Sequence, residues 1–127
     1  MKFPIIIAVL FFMASSCSNQ NKLDSGCYKG RLEIKGICSN YTIKLLEGNM
    51  AKGAIAETWT NESTGKKYTN VFSLENPCVL PASLEEGDEF YFTIDTTAPE
   101  ECITCQAYYP KPAQKLHIKV LDKPCNP

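Results

Sequence analysis

Cys102-Ile103-Thr104-Cys105 is the pattern in this sequence closest to a reactive one. Two cysteines separated by two residues make a redox couple when one thiol is activated at a helix N-terminus. Gln106 to Tyr109, followed by Pro110 and Pro112, leaves no room for such a helix, so a structural role is expected for both cysteines. Zinc is disfavoured on similar grounds, because a structural site usually combines two close pairs and only one is present. No metal and no other cofactor is expected. His117 sits between Leu116 and Ile118, so on a strand it points with Lys115 and Lys119 away from its apolar neighbours. It reads as a solvated surface residue, since no nucleophile or paired-carboxylate motif accompanies it. Glu85, Glu86, Asp88 and Glu89 crowd into one turn, whereas glycosidase carboxylates face each other across a cleft. With no nucleophile, base and oxyanion-stabilising group to assemble, the chain is not expected to be an enzyme.

Binding residues are the next question. Trp59, Tyr91, Tyr108 and Tyr109 are the aromatic residues least easily placed in a core; on a β surface such rings stack on sugars or anchor a protein partner. Tyr108-Tyr109-Pro110-Lys111-Pro112 is expected to be extended and stiff, which marks it as a segment for a partner. Asp95-Thr96-Thr97 resembles the short O-glycosylation signal of some bacterial envelope proteins, which would place a sugar on Thr96.

The N-terminus carries an address. Met1 and Lys2 form a short positive start, and Phe3 to Met13 is an apolar run. It has the length of a signal-peptide core and is too short for a permanent membrane-spanning helix of about 20 residues. The run ends at Ala14-Ser15-Ser16-Cys17, which resembles the lipobox of bacterial lipoproteins. That resemblance implies that Cys17 receives the lipid and becomes the mature N-terminus, although the same small residues also suit ordinary signal peptidase cleavage. Acyl chains would hold the domain at a membrane, each buried methylene adding about 0.8 kcal/mol. Ser18 to Ser25 lacks apolar periodicity and reads as a flexible tether. It lacks the acidic cluster that directs some lipoproteins to the cell surface, so a periplasm-facing position is expected.

The division is therefore residues 1–16 as signal peptide, 17–26 as lipidated cysteine and tether, and 27–127 as one domain. The 127-residue chain has a formal net charge of −1, which becomes −2 once Lys2 is removed. No stretch is dominated by one sign, and the footprint of a nucleic-acid partner is missing. Of the seven cysteines, removing Cys17 from the pairing leaves Cys27, Cys38, Cys78, Cys102, Cys105 and Cys125. An even set in a small exported domain points to disulfides. If Cys102 to Tyr109 is a strand, residues three apart lie about 10 Å apart on opposite faces, so Cys102 and Cys105 are expected to bond elsewhere than to each other.

Strand patterns fill the mature chain. Tyr28, Gly30, Leu32 and Ile34 alternate with charged residues, which is the two-residue period of a half-buried strand. Tyr41 to Leu45, Ala54 to Trp59, Tyr68 to Leu74, Phe90 to Ile94, Cys102 to Tyr109 and Lys115 to Leu121 read likewise, with one helical turn permitted at Pro81 to Glu86. The fold class is all-β. Asn76-Pro77-Cys78-Val79-Leu80-Pro81, then Gly87-Asp88 and the Phe90/Phe92/Ile94 strand, resembles the second half of small exported OB-like (oligonucleotide/oligosaccharide-binding) domains of bacterial lipoproteins. That resemblance implies a disulfide-stabilised Greek-key barrel of five to seven short strands. A seven-stranded immunoglobulin-like sandwich is the alternative.

The function expected is that of a non-enzymatic, lipid-anchored envelope protein whose domain binds a protein or glycan partner, or scaffolds. The alternatives are a lipid-anchored inhibitor of a hydrolase, and a thiol-disulfide or metal-handling protein. Metabolic labelling with a tagged fatty acid is expected to mark the wild type and not Cys17→Ser; equal labelling of both would remove the anchor.

Overall fold

The computed structural model describes residues 26–97 and 102–125; Cys17, the signal peptide and the tether lie outside them. The domain is all-β, with strands β1 (Cys27–Lys35), β2 (Tyr41–Glu47), β3 (Ala56–Thr60), β4 (Lys67–Leu74), β5 (Glu89–Ile94), β6 (Lys115–Leu116) and β7 (Ile118–Leu121). They form one sheet in the order β3-β4-β2-β1-β5-β7, with β6 beside β4. Every pair is antiparallel except β4–β6.

The alternation in β1 does what its period requires: Tyr28, Gly30, Leu32 and Ile34 are buried while the charged residues between them are half-exposed. Phe92 on β5 is the hub of the core. Its fully buried ring lies with centroids 5.5 Å from Tyr28, 5.8 Å from Phe72 and 5.8 Å from Phe90. Gly30 makes this convergence possible, because a Cβ there would come within 3.0 Å of both Ile43 and the Phe92 ring.

Two features of the expected architecture are corrected. The sheet is not a closed barrel, and its single sheet is not a two-sheet sandwich. The reason for the first lies in β4. Val71 has Lys44 on one side and Ala56 on the other, while Ser73 has Thr42 on one side and Lys115 on the other. Strands β3 and β6 therefore share one edge of β4 in succession, and β3 leaves β6 only Ser73 and Leu74 to pair with. One residue later the chain has crossed to β5, where β7 pairs from Ile94↔Ile118 to Tyr91↔Leu121. Asn76 clamps this crossing: its side-chain amide donates to the Ile118 carbonyl at 2.7 Å, and its side-chain oxygen accepts from the Ile118 N–H at 3.0 Å.

Two local expectations also fail. Pro81 to Glu86 forms no helix, only an isolated turn in which the Leu84 N–H donates to the Pro81 carbonyl at 3.0 Å, and a 3-10 turn forms just before it at Pro77–Val79. The Gly87 N–H donates to the Leu32 carbonyl and the Leu32 N–H to the Asp88 carbonyl, so the chain after Glu86 is already committed to β1. Cys102 to Tyr109 forms no strand, since no neighbouring strand pairs with it. Three disulfides join Cys27 to Cys125, Cys38 to Cys105 and Cys78 to Cys102. Cys102 and Cys105 are thus tied to different parts of the fold and not to each other.

Phe92→Ala is expected to remove about 3–5 kcal/mol of stability, read as a lower urea midpoint. Tyr91→Ala, on the opposite face of the same strand, is expected to lose less; equal losses would deny Phe92 its central place.

Candidate functional site

The β1–β2 connection and the segment after residue 101 build one end of the molecule together. Between β1 and β2 the chain makes a 3-10 turn, Ile37–Ser39, in which Cys38 and Ser39 adopt φ of 56° and 59°. Left-handed backbone at a residue with a side chain costs of order 1–3 kcal/mol and persists only where its surroundings impose it. Here the Gly36 N–H donates to the Asn40 carbonyl, the Asn40 side chain donates to the Ile37 carbonyl at 2.8 Å, and the Cys38 sulfur is bonded to Cys105.

Cys102 to Gln114 crosses this end as a strap. Cys102 is held by Cys78, within the Pro77–Val79 turn, and Cys105 by Cys38. The Tyr109 ring lies where Gly36 has no side chain; a Cβ there would sit 2.6 Å from the ring. Lys111 Nζ donates to Asn40 Oδ1, Pro112 is buried, and the Gln114 carbonyl accepts from the Ser73 N–H at 2.8 Å. The Tyr108 hydroxyl donates to the Glu62 carboxylate in the β3–β4 turn. Between strap and sheet lies a groove of about 440 Å³, with Ser39, Asn40, Glu75, Thr104, Gln106 and Lys115 among its lining.

The loops around the groove carry exposed apolar side chains that form its rim. Ile37 is 63%, Ile103 98% and Tyr108 80% exposed, and these are three of the four large exposed hydrophobic residues among those described. All three lie on the two loops that Cys38–Cys105 joins. Between Cys102 and Tyr108, the main chain of Ile103, Thr104, Gln106 and Ala107 finds no hydrogen-bond partner among the described residues.

The other residues singled out from the sequence fall elsewhere. Trp59 is half-buried with its ring 5.5 Å from that of Tyr68. Tyr91 lies on the outer face of β5 beneath the Lys29 ammonium. Tyr108 alone of the four aromatics stands on the rim, while the Tyr109 ring packs against Gly36. Thr96 is exposed after β5, next to Asp95, whose carboxyl is held below its ordinary value by hydrogen bonds from the Thr97 hydroxyl and amide. His117 is not fully solvated: it is half-buried, with Nε2 3.5 Å from a Glu75 oxygen, because the chain crosses between strands at that residue. Glu85, Glu86 and Asp88 are used in the turn itself, binding the Lys35 ammonium, the Lys35 N–H and the Glu85 N–H, and Glu89 pairs with Lys29 at 3.7 Å. All six cysteines of the described domain are in disulfides, which leaves no thiolate there to ligate a metal or attack a disulfide. In comparisons with protein families, curated proteins and solved structures, the chain matches none.

Ile37 and Ile103 were not foreseen as rim residues, though both directly neighbour a cysteine. A cysteine tied to a distant element fixes its loop, and its neighbour then has no freedom to turn into the core.

The hydrogen bond to Glu62, then burial and the Glu62 charge, raise the Tyr108 phenol above its ordinary value of 10.0. The bond therefore supports the fold below pH 10 and is lost as pH rises through the raised value. Glu62→Ala is expected to bring the Tyr108 titration back toward 10, followed by NMR; an unmoved titration would mean that the contact does not hold in solution.

Proposed function

We propose that this chain is an exported lipoprotein, anchored through Cys17 with its domain facing the periplasm, and that the domain is a non-enzymatic binder of a protein partner. The observation that carries this reading is the rim of Ile37, Ile103 and Tyr108, exposed together at one end. Exposing an isoleucine side chain forgoes about 1.5–3 kcal/mol of burial, and clustering such losses beside one groove suits an interface. A protein partner fits better than a glycan. Sugars are held by flat rings and by polar groups that match their hydroxyls, which Tyr108 and the groove supply, but the two exposed isoleucines serve no such role, whereas protein interfaces centre on buried apolar and aromatic anchors.

Three disulfides support an oxidising, exported location. The proposed anchor also agrees with the position of the rim. The tether joins at the start of β1, and the Ile37–Ser39 turn follows its other end, about 27 Å away for eight residue steps of extended chain. The rim is thus separated from the tethered end by about the length of β1.

The test is affinity capture of the native lipoprotein from its own membranes, wild type beside Ile103→Asp and Tyr108→Ala. The expected result is a protein recovered with the wild type and lost with both variants, while their thermal midpoints stay near wild type. Identical recovery from all three would discard the rim, and recovery of cell-wall glycan in place of protein would move the reading to the glycan.

A further inference from the structure

We infer that Cys102-Ile103-Thr104-Cys105 is an inhibitory loop for an endopeptidase, with Ile103 entering the enzyme's primary apolar pocket. The inference rests on the reading of the rim as a protein-binding surface and names the class of partner.

An endopeptidase recognises an extended stretch of main chain by pairing with its N–H and C=O groups, and selects one side chain in a pocket beside the bond it attacks. The segment offers both. Its main chain at Ile103 and Thr104 has no hydrogen-bond partner among the described residues, so none of those residues competes with an enzyme for these groups. Ile103 is 98% exposed and is not among the residues lining the groove, whereas Thr104 is. Isoleucine is uncharged and aliphatic, so the matching pocket is apolar and of modest size, as in elastase, and not the carboxylate-bearing pocket of trypsin.

What separates an inhibitor from a substrate is what happens at the bond under attack. The Ile103–Thr104 bond lies between two sulfurs tied to different elements, Cys102 to Cys78 and Cys105 to Cys38. Attack by a serine hydroxyl on the Ile103 carbonyl carbon would form an ester, break the C–N bond and release the Thr104 nitrogen, protonated, as an amine. In an unconstrained peptide that amine diffuses away and water completes hydrolysis. Here Cys105–Cys38 keeps the amine beside the ester. It can attack the same carbon, re-form the peptide bond and return the serine hydroxyl with its proton, so the enzyme stays occupied. The two cross-links also fix the loop before binding, which reduces the ordering cost of association. Ile37, 63% exposed on the turn that carries Cys38, adds an apolar contact beside the pocket.

The experiment uses the full exported protein with its disulfides intact, verified by mass spectrometry, against pancreatic elastase and trypsin cleaving chromogenic peptides. Wild type is expected to inhibit elastase stoichiometrically and to leave trypsin active. Ile103→Asp is expected to lose about 100-fold in affinity for elastase, and Ile103→Arg to transfer inhibition to trypsin. Absence of elastase inhibition by the wild type, or rapid cleavage between Cys102 and Cys105 with release of active enzyme, overturns the inference. If elastase is unaffected but membrane capture still depends on Ile103, only the inhibitory role falls; if capture is also independent of Ile103, the rim reading falls with it.

Discussion

Cys102, Cys105 and Cys125 each reach back to an earlier part of the chain, to Cys78, Cys38 and Cys27. The C-terminal stretch they belong to is the part of the described domain with the least ladder, only the two residues of β6 and the four of β7. Among the described residues, the main chain from Cys102 to Gln114 makes one bond to the rest of the backbone, the Gln114 carbonyl accepting from the Ser73 N–H. A single hydrogen bond contributes about 1 kcal/mol, which is of the size needed to order one residue and not the whole strap. The covalent links act where hydrogen bonding cannot, by removing freedom from the unfolded chain. The groove, the left-handed turn at Cys38 and Ser39 and the exposed rim all exist on that condition.

The sheet explains why so much chain is left for such a strap. Strand β4 gives the first part of one edge to β3 and the last two residues to β6. A longer β6 would have to displace β3, so β6 stays short and the chain before it, carrying Pro110 and Pro112, has no edge to join. Proline lacks the N–H a ladder needs, which reinforces the outcome. Pro112 is instead buried, and Tyr109 fills the space that Gly36 leaves open. The strap is seated by packing and by sulfur, and the main chain of its exposed stretch finds no hydrogen-bond partner among the described residues.

Much of the frame was legible before the structure. The alternation in β1, the Phe90 and Phe92 periodicity of β5 and the Lys115 to Leu121 stretch that contains β6 and β7 are local signals, and each formed close to where its pattern ended. The expectation that Cys102 and Cys105 bond elsewhere agrees with the fold although its premise failed: the segment is not a strand, and separate distant partners hold the two sulfurs apart. What could not be read locally is competition for the edge of β4, because it is decided between β3 and β6, which are more than fifty residues apart in the chain. Nor could the β-forming character of Ile103, Thr104, Tyr108 and Tyr109 reveal that no edge would be available to them. Propensity describes what a residue fits once a neighbour exists.

The same covalent pattern gives the molecule two unlike ends. Cys27–Cys125 ties the start of β1 to the end of the chain, so both termini of the described domain meet at one place. Cys38–Cys105 lies beyond the other end of β1, with the rim around it. Under the proposed anchor the lipid pulls on the stapled termini, where β1 is held on both sides by β2 and β5, and the load passes into the best-paired strand of the sheet. The rim carries none of it. It can therefore remain a loop-built surface with few hydrogen bonds of its own, set at the far end of a strand that is paired on both sides.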